Sequence, residues 1–121
     1  MATLDAFVSN YGDDATPFLQ PRRVAEMLGV TMSELAGLIG IARNTLASVK
    51  GARKVDAALS PLVRILSMAA EMTGGDARAA IWFKHQPIPG WAGKTAYDLV
   101  REGKPDKVLA YLESVRIGVS S

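Results

Sequence analysis

The sequence predicts an all-α fold, and three observations carry that expectation. No segment alternates apolar and polar residues at a two-residue period with β-branched enrichment between turn signals, so no strand is expected. Apolar residues recur instead at helical spacing, as at Leu62, Ile65, Leu66, Ala69 and Met72. Proline or a capping residue opens successive runs and glycine closes them. The chain has 121 residues and 49% apolar composition, enough for one core or for two small helical units sharing one. Six or seven helices are expected, an N-terminal unit packed with a small C-terminal one.

Residues 1–20 contain Gly12, Pro17 and a small acidic cluster, and read as an arm with room for one short helix. Pro21 to Gly29 is the first regular helix, with proline at its beginning and glycine past its end. Thr31 and Glu34 form a T-x-x-E capping box that opens the next. Another helix is expected from about Arg43 to Lys50, stopped by Gly51. Ser60-Pro61 is a further start signal, a capping residue followed by proline, for a helix that reaches Met72 and ends at Gly74-Gly75. Asp76 is placed to cap a helix through Ile81-Trp82-Phe83, and Pro87, Pro89, Gly90 and Gly93 then forbid a regular element. Thr95 to Asp98 opens a short helix closed by Gly103. A last helix from about Pro105 to Val115 turns Val108, Leu109 and Leu112 inward, and Arg116–Ser121 forms a short tail.

Residues 33–49 have the spacing of a helix-turn-helix. Leu35, Ile39, Ile41, Leu46 and Val49 are apolar where two crossed helices bury their contact, and Ala36 is small where the second passes over the first. Gly40 stands at the sharp turn, where a residue free to take positive φ is favoured. Such a unit presents the outer side of its second helix to the DNA major groove. On that side lie Arg43, Asn44, Thr45, Ala47 and Ser48. Arginine pairs with guanine and asparagine with adenine through two hydrogen bonds each, while alanine or serine meets a thymine methyl or a backbone oxygen. Lys50, Arg53 and Lys54 follow, where phosphate contacts are usual.

The charge distribution agrees. Residues 1–20 carry Asp5, Asp13 and Asp14 and no basic residue, whereas residues 21–56 carry Arg22, Arg23, Arg43, Lys50, Arg53 and Lys54 against Glu26, Glu34 and Asp56. Six basic against three acidic residues thus put the largest positive excess around the helix-turn-helix, as phosphate binding requires.

Other chemistries lack their residues. There is no cysteine, so disulfides and thiolate metal sites are excluded, and a lone histidine, His85, rules out a histidine-pair metal site. His85 has no serine–acid arrangement around it for nucleophilic catalysis and reads as a surface loop residue. Gly93-Lys94-Thr95 resembles the end of a phosphate-binding loop, but Ile88 stands where that motif needs its first glycine and Pro87 and Pro89 where it needs a strand. No catalytic residue, metal site or cofactor is expected. No run approaches the ~18 consecutive apolar residues of a membrane span. The start, Met1-Ala2-Thr3-Leu4-Asp5, lacks the basic and apolar pattern of a signal peptide. A cytoplasmic protein is expected.

The stretch from Trp82 to Leu99 is unusual for a helix connection. Trp82-Phe83 and Trp91 gather aromatic side chains around the loop Gln86-Pro87-Ile88-Pro89-Gly90-Trp91-Ala92-Gly93. Either Trp91 folds back onto the core or the loop offers a partner surface.

Trp82-Phe83, Pro87 and Pro89, Gly90-Trp91-Ala92-Gly93-Lys94-Thr95, then Tyr97-Asp98-Leu99-Val100 and Gly103 together resemble the toxin-binding domain of the Xre/MbcA/ParS antitoxin family. The resemblance extends over roughly residues 60–121, and the helix-turn-helix matches the family's N-terminal half. It implies a type II antitoxin that dimerises, binds the operator of its own operon and neutralises a RES-domain toxin that consumes NAD⁺. By position it makes Trp91, Lys94, Arg116 and the tail Ile117-Gly118-Val119-Ser120-Ser121 toxin-facing, the tail reaching the toxin's substrate pocket. This chain departs from the family pattern at Trp91-Ala92, where leucine and glycine are common, and at Ala96, where proline is common. Its tail keeps Gly118-Val119 without the usual acidic and aromatic neighbours.

The expected organisation is an arm over residues 1–20, a helix-turn-helix DNA-binding region over 21–59 and a toxin-binding domain over 60–121. The expected partners are a cognate toxin, operator DNA and a second copy of the chain. The rival expectation is a stand-alone transcription regulator whose C-terminal half only dimerises.

Overall fold

The computed structural model describes residues 19–48 and 50–118. Residues 1–18 of the arm expected over residues 1–20, the buried position expected for Val49 and the tail residues Val119, Ser120 and Ser121 lie outside them. The described residues are all helical, in the order α1 (Pro21–Leu28), α2 (Met32–Ile39), α3 (Arg43–Leu46), α4 (Ala52–Thr73), α5 (Asp76–His85), α6 (Ala96–Arg101) and α7 (Pro105–Arg116).

The ends of these helices follow from their residues. Gly29 and Gly40 close α1 and α2 in the left-handed region, and the Gly40 and Ile41 N–H groups both donate to the Ala36 carbonyl. Both capping boxes form. Thr31 Oγ1 accepts from the Glu34 N–H at 3.0 Å while Glu34 Oε1 accepts from the Thr31 N–H at 2.8 Å. Thr95 and Asp98 do the same at the start of α6, at 3.2 and 3.0 Å.

Three sequence expectations fail here. The helix expected from Arg43 to Lys50 is the single turn Arg43–Leu46. Gly51 then starts α4 rather than stopping α3: its N–H donates to the Ser48 carbonyl, and its own carbonyl accepts from the Val55 N–H at 2.9 Å. A Cβ at Gly51 would lie 2.7 Å from the Thr45 carbonyl oxygen, so only glycine lets α4 leave this close to α3. Ser60-Pro61 does not open a helix either, because α4 runs 22 residues with Pro61 inside it. Proline there leaves the Ala57 carbonyl without its helical donor, but Ala57 is exposed, so that carbonyl is open to solvent. Val55 and Leu59 continue the apolar stripe backward from Leu62, and all three are buried. Asp76, expected as a cap, is the first residue of α5, with Gly75 in the capping position.

Helix α4 is the axis of the molecule. Helix α5 packs along it most extensively, α7 flanks it, and α6 joins α5, α7 and α2. One continuous core results, with Val24, Leu28, Leu35, Leu38, Leu59, Ile65, Leu66, Phe83, Leu99 and Val108 fully buried in it. The boundary expected at residues 59/60 falls inside α4, so both units draw on the same helix.

Candidate functional site

Two surfaces hold the residues singled out by sequence. The first surrounds α3. Arg43, Asn44 and Ala47 are exposed, whereas Leu46 is buried beneath them. Thr45 is half-buried and pressed against Gly51. The Ser48 hydroxyl accepts from the Lys50 N–H at 3.2 Å and so helps to hold the turn. Helices α1 and α3 border a cleft of about 570 Å³ with Arg22, Arg23 and Arg43 on its walls. Lys50, Arg53 and Lys54 are exposed and stand at the start of α4, not beyond the end of α3. That is the positive end of a long helix with no side-chain cap, so backbone and side chains add to one positive potential.

The second surface is the loop between α5 and α6. Pro87 lies opposite Thr95, and the Ile88 N–H donates to the Lys94 carbonyl at 2.8 Å. Inside that closure the Trp91 N–H donates to the Ile88 carbonyl and the Lys94 N–H to the Trp91 carbonyl. Ile88 is buried and anchors the loop, a role its place between two prolines did not reveal. Gly90, Ala92 and Gly93 all take positive φ, and Ala92 at 54° is the one such residue with a side chain among the described residues.

Trp91 takes the first of the two alternatives left open by the sequence, the fold back onto the core. It is half-buried against the core, and its remaining face lies under Lys104, whose Nζ is 5.6 Å from the ring centroid. Lys94 donates to Glu102 at 2.8 Å, and Lys104 lies 3.6 Å from the same oxygen. Thus a tryptophan, two lysines and one glutamate form a connected surface patch, to which Glu102 is an addition the sequence did not indicate. His85 ends α5 and is exposed. Arg116 ends α7, pairs with Glu113 at 3.4 Å, and is followed by Ile117, which is 70% exposed.

Two carboxylates are held below the ordinary glutamate value of 4.5, Glu34 by the Thr31 N–H and hydroxyl and Glu102 by the Lys94 ammonium. A depressed folded value gives stability that is complete above pH 4.5 and lost as pH falls through the lowered value. Thermal melts between pH 5 and 2.5 are therefore expected to show a decline whose slope is shallower in Glu34→Gln/Glu102→Gln. An unchanged slope in that variant would remove both contacts from the acid response.

Among the described residues no group of three or more histidine, cysteine or acidic side chains gathers as a metal site, and no helix is long and apolar enough to cross a membrane. Comparison with curated proteins and with solved structures gave no match. Residues 68–118 match the family model of the antitoxin Xre/MbcA/ParS C-terminal toxin-binding domain. The matched stretch begins in the last turns of α4, contains the Trp91 loop whole and ends just past α7. The C-terminal part of this chain is therefore similar to the Xre/MbcA/ParS toxin-binding domain over those residues.

Proposed function

We propose that the chain is a type II antitoxin of the cytoplasm, with no catalysis of its own. It binds a RES-type, NAD-consuming toxin through the C-terminal part, blocks the toxin's active site with its tail and represses its own operon as a DNA-bound homodimer. The match over residues 68–118 is the observation that carries this reading. Two features of this chain support its finer parts. Arg116 and Ile117 are exposed at the end of α7, where the tail begins, and are open to a partner. Trp91 and Lys94 meet the toxin near the start of α7, with Lys94 held by Glu102. At the other end, exposed Arg43, Asn44 and Ala47 read base edges, while Lys50, Arg53 and Lys54 at the head of α4 hold phosphates. Thr45 and Ser48, taken up by the turn, position them.

Co-expression with a RES-domain protein encoded beside this chain tests the mechanism. The full chain is expected to form a complex that survives gel filtration and to stop NAD⁺ loss. A chain lacking residues 116–121 is expected to leave the toxin's NAD⁺ consumption within a few-fold of the free toxin. Equal protection by the shortened chain would remove the tail from the mechanism, and the absence of any complex would leave the stand-alone regulator.

A further inference from the structure

A notch of about 330 Å³ runs between the last turns of α4 and the last turns of α7. Met68 and Leu112 are buried at its floor, Met72 and Val115 form its walls, and Glu71 and Arg116 carry opposite charges at its edge. Met72 is one of three large apolar side chains left exposed among the described residues, and Ile117, another, follows Arg116 directly. We propose that this notch is the surface on which the toxin protein seats an apolar side-chain ridge, before the chain continues from Ile117 into the tail. The proposal rests on the antitoxin reading above and names the docking surface for it.

Three observations select that occupant. Met68, Glu71, Met72, Leu112, Val115 and Arg116 all lie inside residues 68–118, the stretch with the toxin-binding match, and both walls of the notch come from it. The clefts under α3 and beside Pro61 draw wholly or partly on residues before Met68. Arg116 lines the notch and exposed Ile117 follows it, so the notch adjoins the point where the tail begins. Methionine suits such a seat, since an unbranched, polarizable side chain adapts to an apolar partner. The opposite charges of Glu71 and Arg116 on the rim fix the direction in which that partner lies.

The test measures affinity for the RES-domain protein encoded beside this chain, using full-length wild type, Met72→Glu, Met72→Ser and Ile81→Glu. Ile81 is 61% exposed on α5 and does not line the notch, so its variant controls for a general loss of apolar surface. Met72→Glu is expected to bind at least about 30-fold more weakly, the scale of an interface anchor. Met72→Ser, which adds no charge, is expected to weaken binding by a smaller factor, and Ile81→Glu to leave it unchanged. Circular dichroism melts of the free variants, unchanged from wild type, exclude misfolding as the cause. Wild-type affinity in both Met72 variants would overturn the notch while leaving the antitoxin reading intact. Loss of self-association in Met72→Glu alone, seen by light scattering, would assign the notch to a second copy and overturn the proposal. Failure of the wild-type chain to bind would end the antitoxin reading, and the notch's role with it.

Discussion

Replacing Phe83 by alanine is expected to cost roughly 3–5 kcal/mol of stability, more than any other single substitution argued here. Phe83 is fully buried on α5, the helix that lies most extensively along α4. Its ring meets Tyr97 of α6 edge to face, with centroids 5.9 Å apart and planes at 70°. The alanine variant loses the transfer free energy of the ring, leaves a void among α4, α5 and α6, and forfeits about 0.5–1.5 kcal/mol of aromatic pairing. A domain of this size has about 5–15 kcal/mol in total, so the midpoint of thermal unfolding is expected to fall on the order of 10–20 °C. Phe83→Leu, which keeps most of the apolar volume, is expected to lose much less. Chemical denaturation checks both, and a loss under about 1 kcal/mol in Phe83→Ala would mean the core closes over the gap.

Phe83 also shows what the sequence could disclose. The helix through Ile81-Trp82-Phe83 is legible because composition and spacing are local signals and agree there, although Gly75 and not Asp76 takes the capping position. The same consistency makes the Thr31–Glu34 capping box and the turns at Gly29 and Gly40 readable in advance. The errors arose where a local signal lost to a tertiary one. Pro61 reads locally as a helix start, yet burial of Val55, Leu59 and Leu62 on one stripe outweighs its missing hydrogen bond, which costs about 3 kcal/mol where nothing compensates. Gly51 reads locally as a stop, yet its bare Cα is used for a close approach to Thr45 across the turn.

The site divides in the same way. The residues expected to be exposed around α3 were found by helical periodicity, which survives even when the helix is only one turn. Thr45 and Ser48 were included by the same periodicity, although the turn takes up their side chains, since periodicity assumes a helix continuing through them. In the loop between α5 and α6, Trp91 and Lys94 stood out by residue type. Glu102 did not, because the sequence distance of eight from Lys94 crosses a helix and matches no periodic rule. The apolar notch was hidden for a similar reason: Met72 looked like the end of a buried stripe, and only the placement of α7 shows that the last turn is left open.

The shortness of α3 sharpens the second large prediction. A one-turn helix presents few side chains, so on the proposed DNA-binding reading discrimination between sequences is expected to fall chiefly on Arg43 and Asn44. Each paired contact to a base edge is worth about 1–3 kcal/mol of discrimination, so Arg43→Ala/Asn44→Ala is expected to lose about 2–6 kcal/mol. That is about 30-fold to more than 10,000-fold in preference for DNA upstream of the chain's own coding sequence over scrambled DNA. Binding to any duplex is expected to persist in that variant, because Lys50, Arg53 and Lys54 at the head of α4 are untouched. The complementary variant, Arg53→Gln/Lys54→Gln, is expected to weaken binding to all sequences alike and to lower the salt-dependence slope by about one per lost phosphate contact. Gel retardation across a salt series separates the two behaviours. A dimer reading two half-sites is expected to prefer an inverted repeat with centres about one helical turn apart. If Arg43→Ala/Asn44→Ala still tells its own upstream DNA from scrambled DNA, base recognition lies elsewhere on the chain. If Arg53→Gln/Lys54→Gln leaves the salt slope unchanged, the head of α4 does not face the duplex.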